Sequence, residues 1–234
     1  MGKPSQNNSR TADFILALLI VAFSFFLWDT FFVFPIKLFV VFLHESSHAL
    51  AILLTGGTIS EISLGFDLGG KITAEGGNDI VIASFGYLGS LFFGLLIYLV
   101  AEMQNIRRYV YFSLASLFLG ILLISTPTLE FILIGLITVG LFVVFGFLVK
   151  IRLIKIIVKS FALVSAIYVL IDVKEDMLSN DFSSDAQIMA GVIGVDQLIV
   201  SLVWLVISAV LIGIVMKYSF KTKSSNKVNH LPQS

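Results

Sequence analysis

Residues 35–54 read PIKLFVVFLHESSHALAILL, an apolar run that carries His44-Glu45-Ser46-Ser47-His48 midway along it. A stretch of about 20 apolar residues is long enough to cross a bilayer as a helix. The Thr55-Gly56-Gly57 that follows it supplies the glycine that usually stands just past a helix end. On a helix, residues four apart lie one above the other on the same face. Both imidazoles of an H-E-x-x-H segment can therefore reach one zinc ion, and the glutamate between them is left to take a proton from an attacking water. Ionisable groups at membrane depth are costly and mark functional sites. His44, Glu45 and His48 within one apolar run are hard to tolerate as decoration.

Composition sets the class. The chain has 234 residues, 58% hydrophobic and 13% charged, with mean hydropathy +1.02. Soluble domains average about 45–50% apolar and about 25% charged residues. So few charges cannot cover a soluble core, and the chain reads as an integral membrane protein. In lipid every backbone polar group must be paired internally, which leaves helices or a closed barrel. The apolar runs are long and lack period-two alternation, so they read as helices. Formal net charge is zero, with no basic patch interleaved with aromatics and no Cys/His finger, which argues against a nucleic-acid partner. The absence of cysteine excludes disulfides, thiolate zinc sites and cysteine nucleophiles.

Working outward from the motif, the expected architecture is an all-α polytopic membrane protein of about seven spans, with a short β-hairpin after the second. The spans are read at about residues 13–33, 36–54, 80–101, 109–125, 131–149, 154–172 and 198–216. The first is read as an uncleaved helix behind a polar tail, residues 1–12. Residues 58–79 form a polar stretch in which Ile59, Ile62, Leu64 and Phe66 partly alternate before Asp67-Leu68-Gly69-Gly70, the pattern of a hairpin with a glycine turn. Asp67 reads as a turn residue. Gly86, Gly89 and Gly94 on the third span read as places where another helix approaches closely. Residues 173–185 read as an acidic loop, a further apolar segment begins near Ala186, and residues 217–234 as a disordered polar tail. Residues 13–216 thus make one membrane-embedded domain. Arg107, Arg108, Lys150, Arg152, Lys155 and Lys217 cluster in alternate connections, which puts the carboxyl terminus in the cytoplasm and the hairpin outside. Lys3 and Arg10 at the amino end dissent from that orientation.

A catalytic zinc takes three protein ligands and leaves one position open. His230 lies in the charged tail and there is no cysteine, so the third ligand should be an Asp or Glu. The best placed are Asp172, at the end of the sixth span, and Asp185, where an N-cap role is the ordinary alternative.

The stretch from His44 to Gly57, HESSHALAILLTGG, resembles the site-2 protease family of membrane-embedded zinc metallopeptidases, and most closely the compact B-like branch of peptidase family M-fifty. Ser84-Phe85-Gly86-Tyr87-Leu88-Gly89-Ser90 is similar to that branch's A-G-Y-L-G-x motif, and Ser184-Asp185-Ala186 to its later S-D-A element. The resembling stretches run over about residues 43–94 and 171–204. The resemblance implies a helical intramembrane protease, with Zn(2+) held by His44, His48 and an aspartate from a later helix. Asp185 is the first choice and Asp172 the second; the L-D-G motif that carries the third ligand in other branches is absent from the late spans. Glu45 is then the general base. It further implies a membrane-protein substrate cut within or near a transmembrane segment, and a bacterial cytoplasmic membrane as the location. Two other readings use the same residues: an inactive protease-like scaffold or chaperone, and an ion transporter with His and Glu along its path. Oligomeric state is not legible.

Overall fold

The computed structural model describes the backbone of residues 6–28, 30–101, 103, 106–148, 150–178 and 184–225, and the side chains of 15–28, 30–101, 103, 106–148, 150–168, 184–215 and 217. The elements in chain order are α1 (Gln6–Phe26), α2 (Phe34–Leu54), β1 (Thr58–Leu64), β2 (Gly70–Glu75), α3 (Asp79–Val100), α4 (Arg107–Ile124), α5 (Leu129–Leu148), α6 (Arg152–Leu178), α7 (Asp185–Ile193) and α8 (Gln197–Ser225).

Among the described residues, five segments are long and apolar enough to cross a membrane: Phe31–Leu54, Asp79–Val100, Arg107–Ile124, Leu129–Leu148 and Gln197–Val215. They correspond to the second, third, fourth, fifth and last expected spans. The first expected span appears as α1, whose described apolar part is the shorter Ile15–Phe26. It stops at Phe26 rather than 33, because Leu27 and Trp28 turn and Phe31–Val33 form a 3-10 turn that leads into Pro35 in the first turn of α2. Proline suits that position because its missing N–H is one that a helix start leaves unpaired. The sixth expected span falls within α6, which is not one of those five segments. Its backbone stays helical through Leu178, so the expected loop begins later than residue 173. Lys174, Glu175 and Met177 favour helix, and polarity alone does not end one. For the same reason α8 runs on through Ser225, past the expected end at 216.

The helices are arranged around α2 and α3. α3 packs against α2, α6 and α7, α4 pairs with α5, and α8 lies along α6 and α7. The larger apolar cluster gathers Phe39, Phe42, Phe118, Phe131 and Phe142, all buried, and reaches the hairpin through Ile62 and Leu64. Phe42 meets Phe131 and Phe118 at ring-centroid distances of 5.2 and 5.5 Å. A smaller cluster gathers Tyr87, Leu91, Ala186, Ala190, Val200 and Trp204 and seats α7 and α8 on α3.

The hairpin forms as the alternation predicts. β1 and β2 are antiparallel, with Ile62 facing Ile72 and Leu64 facing Gly70. In the turn Asp67 Oδ1 accepts from the Gly69 N–H at 3.1 Å. The outer edge of β1 is closed by the α4–α5 connection: Ile62 N–H donates to Thr126 O, Thr128 N–H donates to Ile62 O, and the Thr126 hydroxyl donates to Ser60 O. Ile62 thus directs both backbone groups away from β2. In an antiparallel pair the facing residue does the same, so Ile72 directs its own N–H and C=O outward. Gly70 and Ala74 share that side by the two-residue period of a strand.

Candidate metal centre

α2 carries His44, Glu45 and His48 midway along its length, and α7 brings Asp185 to meet them. The N-cap of α7 is Ser184, whose hydroxyl accepts from the Gln187 N–H at 3.2 Å, so Asp185 is released from that duty. Asp185 Oδ2 lies 3.2 Å from His44 Nε2 and 3.0 Å from His48 Nε2, and the two Nε2 atoms are 3.1 Å apart. Among the described residues these three side chains form the one group able to offer three ligand atoms to a single ion. Asp172 falls in α6 where its side chain lies outside the described residues, and His230 lies outside them altogether.

The donor set fits a tetrahedral divalent ion. Atoms about 2.0–2.1 Å from a zinc ion at tetrahedral angles lie about 3.3 Å from one another. The observed triangle of 3.0–3.2 Å is close to one face of such a tetrahedron. The tautomer of His48 agrees. Its Nδ1 lies 2.9 Å from Ile82 O, and a carbonyl only accepts, so Nδ1 carries the proton and the neutral ring offers a lone pair at Nε2. Such an outer hydrogen bond orients metal-binding histidines generally. Asp185 Oδ2 is buried and accepts no hydrogen bond. The Asp185 carboxylate oxygen and the His48 Nε2 lone pair, 3.0 Å apart, repel one another unless a cation or a proton lies between them.

Two features of the site were not anticipated. Gly86 was expected to serve helix packing with Gly89 and Gly94. Gly89 does meet α2, since a Cβ there would lie 2.6 Å from Ser47 Cβ, and Gly94 meets α6, where a Cβ would lie 2.9 Å from Ala162 O. At Gly86, however, a Cβ would overlap Asp185 Oδ2 and lie 2.5 Å from His48 Nε2. Gly86 thus makes room for the donor atoms themselves. Its place in the Ser84–Ser90 block was a signal, though nothing local tells which glycine faces the site. The second feature is an aromatic chain. Tyr87 stands edge-on to His44 at 5.5 Å and 88°, and its other side packs on Trp204 of α8 at 4.8 Å.

The donor atoms open onto a cleft of about 790 Å³. One wall is β2, through Gly70, Ile72 and Ala74; the other is Ile82 and Tyr87 of α3 with Ile188 of α7. Glu45 is 7% exposed and lines the same cleft.

Comparison with protein families matches residues 16–215 to the one described as Peptidase M50B-like. No curated protein and no solved structure matched the chain.

Proposed function

The chain belongs to the Peptidase M50B-like family, that of membrane metallopeptidases, and from this premise we propose that it hydrolyses a peptide bond within or next to a transmembrane segment of another protein. The observation that carries the reading is the His44, His48 and Asp185 triangle beside a buried Glu45. These three side chains would hold Zn(2+), with two neutral imidazoles and one carboxylate as in other catalytic zinc sites. When bound, the ion supplies Lewis acidity to the attacked carbonyl and the attacking water.

The chain's own residues do the rest. Glu45 is the one carboxylate of the motif that is not needed as a ligand, so it accepts the proton of the attacking water and returns it to the leaving amide nitrogen. Its burial keeps bulk water from competing for that proton. The outward N–H and C=O groups of Gly70, Ile72 and Ala74 form a strand edge along the cleft. Among the described residues β2 has β1 as its single partner strand, and its outer edge is open to an extended segment. A substrate helix unwound to reach the site regains backbone hydrogen bonds there by adding as a strand. Ile72, Ile82, Tyr87 and Ile188 offer apolar side chains to such a segment.

The orientation proposed from the loop charges has the carboxyl terminus in the cytoplasm and the hairpin on the outer side, in a bacterial cytoplasmic membrane. The partners are a membrane-protein substrate and the lipid bilayer.

The test compares membranes from cells expressing wild type or Glu45→Gln by mapping new protein termini. Termini inside or beside transmembrane segments that appear with wild type alone support the peptidase. Identical termini in both, from folded protein at equal expression, contradict it and favour the scaffold reading.

A further inference from the structure

The first residue of β2 is pressed against the Glu45 side chain. A Cβ built on Gly70 would overlap Glu45 Oε1 and lie 2.8 Å from Glu45 Cγ. Gly70 is not among the residues with positive φ, unlike Gly76 and Gly77 at the other end of the strand. Its backbone conformation is therefore open to any residue, and what demands glycine there is space. Glu45 is buried against this bare backbone, at the start of the strand edge that lines the cleft. A general base must lie within hydrogen-bond reach of the proton it takes, and a displacement of about 1 Å can cost about a hundredfold in rate.

We propose that Gly70 is a positioning residue for Glu45: its bare Cα is the wall that holds the carboxylate in place, from the strand on which substrate is aligned. The proposal rests on the peptidase reading above. It makes the hairpin a part of the reaction geometry as well as a substrate rest, because one stretch of backbone registers both the base and the bond to be cut. The three atoms nearest to a side chain started at residue 70 all belong to Glu45, so it would force the carboxylate aside before it met a metal ligand.

The chain has no cysteine, so the contact can be tested directly. Glu45 Cβ is one bond beyond the Cγ that lies 2.8 Å from the built Cβ, which brings the pair near the Cβ separation of about 3.5–4.5 Å that a disulfide needs. Mild oxidation of Glu45→Cys/Gly70→Cys should consume both thiols within one chain, read by mass spectrometry. Persistence of both thiols in folded protein overturns the contact. A double-mutant cycle then reads the role, with fluorescein-labelled casein as an extended-chain probe in mild detergent. Gly70→Ala should lower kcat tenfold or more, with KM within twofold and zinc per chain unchanged. In the Glu45→Asp background, where the carboxylate sits one methylene further back, the same change should cost less than threefold. An equal loss in both backgrounds, or unchanged kcat, overturns the positioning role. A wild type that neither holds zinc nor cleaves overturns the peptidase reading, and this proposal with it. A zinc-loaded, active wild type indifferent to Gly70→Ala overturns the proposal alone.

Discussion

His44 and His48 stand on a helix rooted in the larger apolar cluster, whereas Asp185 is carried by the smaller one. The stretch Phe31–Leu54 has 67% of its membrane window buried in the protein; for Gln197–Val215 the share is 22%. α2 is thus clamped on all sides, with Phe39 and Phe42 packed among Phe118, Phe131 and Phe142. α7 has 9 residues, too few to be a stable helix alone or to span about 30 Å of hydrocarbon. It is held by Ala186 and Ala190 against α3, with α8 behind it. The difference teaches that the candidate metal centre has a fixed half and a conditional half. Two donors come with the fold itself, and the third comes with the docking of one short helix.

The sharpest way to separate the halves is to damage each in turn. Phe42→Ala empties a fully buried site in the larger cluster and should cost about 3–5 kcal/mol of stability, as aromatic truncations do, read as a fall in unfolding temperature in detergent. Its zinc loss should follow unfolding and not precede it. Gly86→Ala leaves both clusters in place but puts a methyl among the donor atoms. Zinc affinity should fall at least a hundredfold, about 2.7 kcal/mol, with little change in unfolding temperature, as measured by competition with a chelating dye. Ala186→Leu overpacks the contact that seats α7, a change that costs about 1–3 kcal/mol. Here zinc affinity should weaken about tenfold while the far-ultraviolet circular dichroism stays unchanged. Equal sensitivity of stability to Phe42→Ala and Ala186→Leu would break the comparison. The smallest effect is expected at the strand edge. Ile72→Pro removes one outward N–H that β1 does not use, and a single hydrogen bond is worth about 0.5–1.5 kcal/mol. KM should rise several-fold with zinc content unaltered.

The same division decides what the sequence makes legible. The motif on α2, its glycine stop and the hairpin are local: four-residue spacing, Gly56 at φ +84° and the Asp67 turn can all be read from neighbours in the chain. The α3 glycines could be recognised as small residues, but only packing distinguishes Gly86, at the donor atoms, from Gly94, against α6. Asp185 was placed by resemblance to a family element, since an aspartate at a helix start has an ordinary capping role. Ser184 takes that role instead, a choice between adjacent residues that spacing does not settle. The helical ends of α6 and α8 were missed because polarity marks where a helix leaves lipid, which need not be where it ends. Gly70 was legible only as part of the glycine turn; it is instead the first residue of β2, and nothing local points to Glu45, which lies 25 positions earlier in the chain.

The central claim is that His44, His48 and Asp185 share one zinc ion. Its most direct test is zinc per chain in protein purified in mild detergent, measured on wild type, His48→Ala, Asp185→Ala and Asp172→Ala, each shown to be folded. The account predicts about one zinc in wild type and in Asp172→Ala, and its loss in His48→Ala and Asp185→Ala. Zinc retained in Asp185→Ala and lost in Asp172→Ala would contradict the third ligand. Folded wild type that takes up no zinc even when it is supplied would contradict the metal centre itself.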